Sequence, residues 1–228
     1  MAAMLKNFTL MAALVSSCAP YEEVNTKQLE FLEKIREETM LSARVLSDNL
    51  DTVDFEFMDL PVDSMEVGIN PVKLAQEDVQ SRVLALPQVI DNFDVKDQIR
   101  IVDEVDGYCA EDFAACVLRF DYHGVQQNKA NIATIVKEAK GVPVYLQRDV
   151  LNDFIEEYEN LDPVDSLAEN YSQARIFCLW SAILGHELTH TAGLGHNKNY
   201  RDPSDPPYVI SDQLKAVCMD KLYSGLLF

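Results

Sequence analysis

Residues 166–196 read SLAENYSQARIFCLWSAILGHELTHTAGLGH, and the rest of the chain is best read outward from them. Phe177, Trp180, Ile183 and Leu184 fall at three- and four-residue spacing, which predicts a helix from Ser166 to about Ala192 with an apolar face running into the histidines. His186 and His190 are four apart, about one helical turn, so both rings leave the same face. Two imidazoles on one face can bind one metal ion, and neutral imidazole suits zinc, whose catalytic sites use three protein ligands and a water. Glu187 stands beside the first histidine, where its carboxylate can approach such a water without being a ligand itself. Gly193 can take a left-handed conformation, stop the helix and turn the chain back, delivering His196 as a third ligand. Leu188 and the apolar residues upstream face the core and hold the helix still.

Two histidines four apart also occur on ordinary exposed helix faces, and a bare HExxH is a signal of moderate strength. Here the glutamate, the stop glycine and the third histidine all stand at the required offsets. The pattern HExxHxxGxxH, matched at every fixed position, resembles the zinc signature of the metzincin clan of metallopeptidases. The resemblance implies that His186, His190 and His196 bind Zn2+ and that Glu187 is the general base of peptide hydrolysis. It implies a methionine turn below the metal, for which Met219 is the obvious candidate because no other methionine follows His196. Some members of the clan carry a tyrosine two residues after that methionine. Here the position is Lys221, and the nearest tyrosine, Tyr223, is a weak candidate transition-state donor. No cysteine-switch motif precedes the domain.

Upstream, Asn25 or Thr26 can cap a helix over residues 21–50, whose Leu29, Leu32, Ile35, Ala43, Leu46 and Leu50 recur at helical spacing. It can pack on the catalytic domain, serve as a stalk or act as a pro-segment. Thr52–Met58 alternates as a strand. Asn70 and Pro71 open a helix expected to end at Leu86, before Pro87. Gln98–Val105, Cys116–Tyr122, Ile132–Val136 and Val142–Leu146 read as four further strands, one of the last two being the edge that aligns an extended substrate. Leu151–Tyr158 reads as a solvated acidic helix, and Pro163 interrupts before the histidine helix. DPSDPP at 202–207 reads as an irregular loop, followed by a short helix. The order is α+β. It can be laid on a metzincin-like plan: a small mixed sheet, a first helix, a long active-site helix and an irregular C-terminal subdomain containing the methionine turn.

Residues 1–20, MAAMLKNFTLMAALVSSCAP, place Lys6 before a short apolar run, the shape of an export signal and too short to span a membrane. Val15-Ser16-Ser17-Cys18 resembles a bacterial lipobox, which implies a signal peptide over 1–17 and lipid on Cys18. The plainer alternative is an ordinary signal cleaved near Ser17 or Ala19, giving a secreted protein. The organisation expected is a signal (1–17), an anchored helix, stalk or pro-segment (18–50) and a catalytic domain (51–228). Ala19 after the lipid cysteine favours the outer membrane if the cell is Gram-negative.

Export to an oxidising compartment makes disulfides plausible for Cys109, Cys116, Cys178 and Cys218. Three pairings exist. Cys109–Cys116 would close a small loop and Cys178–Cys218 would tie the histidine helix to a later segment; free buried thiols are the alternative. With 38 acidic and 19 basic residues the formal charge is -19. That field repels phosphate backbones and anionic headgroups, which argues against nucleic acid and against membrane binding through a basic surface. The fourth histidine, His123, reads as a surface residue. The function these features favour is zinc-dependent endopeptidase acting on peptide or protein substrates. The alternative is a surface lipoprotein that binds a partner and uses zinc structurally or not at all.

Overall fold

The computed structural model describes residues 21–50, 76–103, 114–118, 121, 125, 131–160, 167–196 and 206–226. The signal segment with Cys18, the 52–58 strand, the Asn70 cap with Pro71, Cys109, His123 and Pro163 lie outside the described residues.

Helix α1 (Thr26–Asp48) opens on a capping box. The Asn25 side chain accepts from the Gln28 N–H at 3.0 Å, and the Asn25 N–H donates to the Gln28 side chain at 3.1 Å. Its buried face carries Phe31, Leu32, Ile35, Ala43 and Leu46, the stripe read from the spacing. Helix α2 (Gln76–Asp91) continues through Pro87 instead of ending before it. An interior proline costs about 3 kcal/mol. Val89 and Ile90, beyond it, are buried, and each returns roughly 1.5–3 kcal/mol. Val79, Val83, Leu86 and Ile90 keep one apolar stripe across the proline, so burial outweighs the lost hydrogen bond.

A short helix α3 (Val95–Gln98), capped by Asp94, leads into strand β1 (Ile99–Val102). Strand β2 is Ala115–Cys116 alone. The strand expected over 116–122 fails beyond Cys116: the Asp121 N–H turns back to the Leu118 carbonyl, and Asp121 is helical. Residues 132–136, expected as a strand, belong to helix α4 (Ile132–Ala139). Asn131 caps it by accepting from the Ala133 and Thr134 N–H groups, and Ile135 and Ala139, four apart, are the buried pair. Strand β3 (Val144–Gln147) runs straight into helix α5 (Arg148–Asn160), the acidic helix, with Leu151 and Ile155 inward.

The three strands form one mixed sheet in the order β1-β3-β2, with β1 parallel and β2 antiparallel to β3. Ile99 faces Val144, Ile101 faces Leu146, and Ala115 faces Leu146 from the other side. Glu22 adds a bridge outside β1 by exchanging both backbone hydrogen bonds with Ile101. Arg148 grips Glu22 and Asp103, fastening that N-terminal segment to the ends of β1 and β3. β3 is thus the central strand, not an edge. The edge nearest the histidines is β2.

Helix α6 (Leu167–Thr191) is the long histidine helix, and helix α7 (Pro206–Leu226) packs along it. The last two residues of DPSDPP open α7, where a missing N–H costs nothing. Over Pro206–Leu226, then, the chain is a helix of 21 residues and not the irregular structure expected there. Gly185 lets the helices approach: a Cβ there would lie 2.3 Å from Leu214 Cδ1 on α7 and 3.3 Å from Thr39 Cγ2 on α1. Trp180 is fully buried, edge-on to Phe31 and Phe154. The core draws on α1, α2, the sheet, α5, α6 and α7 together, so α1 packs into the body of the domain and does not stand off it as a stalk. Among the described residues, this is a mixed helical protein with a small sheet, in keeping with the α+β expectation. No described helix is long and apolar enough to cross a membrane.

Candidate metal centre

The carboxyl end of α6 carries the site. The helix stops in a Schellman motif: Leu194 N–H reaches the Thr189 carbonyl at 3.0 Å and Gly193 N–H reaches the His190 carbonyl at 2.8 Å. Gly193 has φ 85°, the left-handed region, as its position after HELTH requires. The chain then doubles back and brings His196 to the pair. One ligating atom from each of His186, His190 and His196 lies within 4.8 Å of the others, a spacing that suits three ligands of one ion.

The surroundings prepare these rings for a metal. The Leu194 carbonyl can only accept, so the 2.6 Å contact from His190 Nδ1 places the proton on Nδ1 and leaves the Nε2 lone pair for a ligand role. A His186 ring N–H donates to the Pro207 carbonyl at the start of α7. Burial pushes His186 down to about 3, with the nearby charge of His196 adding to the effect. His190 is held well below its ordinary value, first by burial and then by the other two histidines. Both are neutral at pH 7, the form that binds metals.

Glu187 is buried in the same site. Burial pushes its carboxyl up to about 8, while a hydrogen bond from the Val117 N–H pulls it back. Among the described residues its Oε2 is buried with no hydrogen-bond partner. Such an orphan fits a site built to face a further polar group. A pocket of about 140 Å³ opens beside it, lined by Ala114, Ala115, Ile183, His186, Tyr208 and Ser211.

The chain matches no family model, no curated protein and no solved structure. What can be said of the site therefore rests on its own geometry.

Two site residues differ from those expected. Met219 is half-buried within α7, a continuous helix, so no methionine turn forms at that position. Ile210, Leu214 and Cys218 keep helical spacing through it, and their burial holds the segment helical. Tyr223 is also inside α7, and its side chain lies outside the described residues. Among the described residues, the tyrosine beside the histidines is Tyr208, whose ring centre lies 4.6 Å from that of His186 and 5.2 Å from that of His196. Nothing in the sequence near HELTHTAGLGH marks Tyr208; it arrives because α7 begins at Pro206 and runs back along α6. The disulfide Cys178–Cys218 is present, joining α6 to α7. Cys116 is disulfide-bonded as well.

The buried site gives the metal-free protein a pH signature. Unfolded, His186 and His190 protonate near 6.5; folded, both resist, so stability present above pH 6.5 drains away as pH falls, down to about 3 for His186. Glu187 acts oppositely. The folded carboxyl keeps its proton up to about 8 and the unfolded one loses it near 4.5, so its contribution is full at low pH and lost as pH rises through that window. In urea melts with chelator present, wild type is expected to lose stability from pH 6.5 to 8. Glu187→Gln should flatten that decline and leave the limb below about pH 4.5 unchanged. Identical pH profiles for the two proteins would show that Glu187 does not titrate with folding.

Proposed function

We propose that this protein is a zinc-dependent metalloendopeptidase of metzincin-like type, exported and held at the cell envelope by lipid on Cys18. The observation that carries the activity is the convergence of His186, His190 and His196 within 4.8 Å beside the unpartnered Oε2 of Glu187. Three imidazoles form a donor set that suits zinc, and a structural site would need no buried carboxylate without a partner beside it. When bound, zinc supplies Lewis acidity toward a peptide carbonyl and toward water.

The chain's own groups then divide the work. A cation held by the three histidines would favour the ionised form of Glu187, which would then accept the proton of the attacking water at its free oxygen and pass it to the leaving amine. The Val117 N–H holds the other carboxylate oxygen in place. Tyr208, its ring against His186 and His196, is our candidate donor to the developing oxyanion. Substrate alignment falls to β2. The Gln147 N–H bonds the Ala114 carbonyl, so antiparallel alternation turns the backbone groups of Ala115 and Val117 away from β3. Val117 serves Glu187, which leaves Ala115 to pair with an extended peptide. The small pocket lined by Ala114, Ala115 and Ile183 would take an apolar side chain of that peptide.

The test is zinc content followed by digestion of a mixed peptide library with and without chelator. One zinc per chain and chelator-sensitive cleavage are expected. Stoichiometric zinc with no cleavage of any peptide would replace this reading with a binding protein that holds its metal structurally.

A further inference from the structure

Arg82 has no exposed surface at all. It stands on α2 among Val79, Val83, Ala85 and Leu86, all buried. Burial lowers its pKa, and the charges of Asp78 and Glu138 oppose that shift. A guanidinium in such a place is costly unless its donors are taken, so their destination is informative. Nη1 donates to the Ala192 carbonyl at 2.6 Å and to the Val125 carbonyl at 3.2 Å.

Ala192 is the residue that closes α6. Three of the carbonyls before it have local partners: Leu188 accepts from the Ala192 N–H and from the Thr191 hydroxyl, Thr189 from Leu194, and His190 from Gly193. The Ala192 carbonyl lies past the reach of that motif and at the negative end of the helix dipole. Arg82 meets it with a full positive charge from a different helix. Beyond Ala192 the chain has only Gly193, Leu194 and Gly195 before His196. Within that turn the Leu194 carbonyl orients His190. Fixing Ala192 therefore fixes the start of the path that delivers His196.

We propose that Arg82 is a positioning residue of the metal centre, which through the Ala192 carbonyl sets where His196 stands relative to His186 and His190. The inference rests on the reading of these histidines as metal ligands. Arg82 acts on the turn and not on the ion.

The test uses the full chain with Arg82→Met and Arg82→Lys. Zinc affinity is measured by chelator competition, and coordination by the visible absorption of the cobalt(II) form. Arg82→Met should bind zinc about 10–100-fold more weakly, as loss of a supporting partner typically does, with an altered cobalt spectrum. Arg82→Lys keeps the cation but not the guanidinium's reach, and should be intermediate, about 3–10-fold weaker. In a His196→Ala background, Arg82→Met should change affinity less than about twofold, because the ligand it acts through is gone. A merely structural arginine would lower the urea midpoint yet leave zinc affinity and cobalt spectrum of the folded protein unchanged, and that result overturns the proposal. Full additivity with His196→Ala overturns it too. If Arg82→Met does not fold, Arg82→Lys decides: wild-type affinity and an unshifted spectrum overturn the proposal. A wild-type chain that binds neither zinc nor cobalt overturns the metal-centre reading itself, whereas wild-type binding with unaffected variants overturns this inference alone.

Discussion

Glu187→Gln is expected to keep its metal and lose peptide cleavage by about 10²–10⁴-fold, the usual share of a general acid–base group. The substitution preserves shape and the acceptor for the Val117 N–H, and it removes only the capacity to take and return a proton. None of the three imidazoles depends on it: His190 is oriented by Leu194, His186 by Pro207, and His196 is delivered by the Gly193 turn. Zinc affinity should therefore stay near wild type. Stability should not fall either, because the site disfavours the charged carboxylate that the variant lacks. Loss of activity without loss of metal or fold separates a general base from a structural residue. Cleavage by the purified variant at wild-type rate would remove Glu187 from the mechanism. A variant that loses zinc as well would make it a ligand or a support.

The histidine helix was legible because its signal is redundant. Periodicity, the HELTH spacing and the stop glycine each predict the same local geometry, and the Schellman motif at Gly193 is where they meet. Elsewhere the local signals disagreed with the packing. Ile132, Ile135 and Val136 are β-branched and favour a strand by propensity, but the Asn131 cap and the burial of Ile135 with Ala139 make the segment helical. Pro87 reads as a helix end, and the stripe Val83, Leu86, Ile90 carries the helix through it. The edge strand could not be identified because edge position is a property of pairing: β3 is central only by virtue of β1 and β2 on its two sides.

Two site residues were missed for different reasons. Tyr208 is remote from the motif in sequence, and only the packing of α7 along α6 brings it to the histidines. Arg82 did leave a signal, a single cation inside an otherwise apolar stripe of α2. A buried charge of that kind asks which backbone it serves. Its carbonyl partner at Ala192 is a hundred and ten residues away in sequence, which periodicity within a helix does not reach.

Replacing both Cys178 and Cys218 with alanine is expected to cost roughly 4 kcal/mol of stability, the loop-closure entropy of a crosslink at this separation. The two cysteines are 40 residues apart, and His186, Glu187, His190, His196 and Tyr208 all lie between them. Nearly the whole candidate site is thus carried on one closed loop. The crosslink's effect falls mainly on the unfolded chain, because the folded contact between α6 and α7 has other supports. Gly185 seats against Leu214, and the Ser211 hydroxyl donates to the Ala182 carbonyl at 3.0 Å. The His186 ring also remains bonded to Pro207 at the start of α7. The double variant should therefore show a much lower urea midpoint together with zinc affinity within about twofold of wild type, measured where it is fully folded. If affinity fell with stability, the bond would be shaping the native site and not only restricting the unfolded chain. An unchanged midpoint would mean that the helix pair holds without its crosslink, and that packing around Gly185 and Leu214 supplies most of the contact's strength.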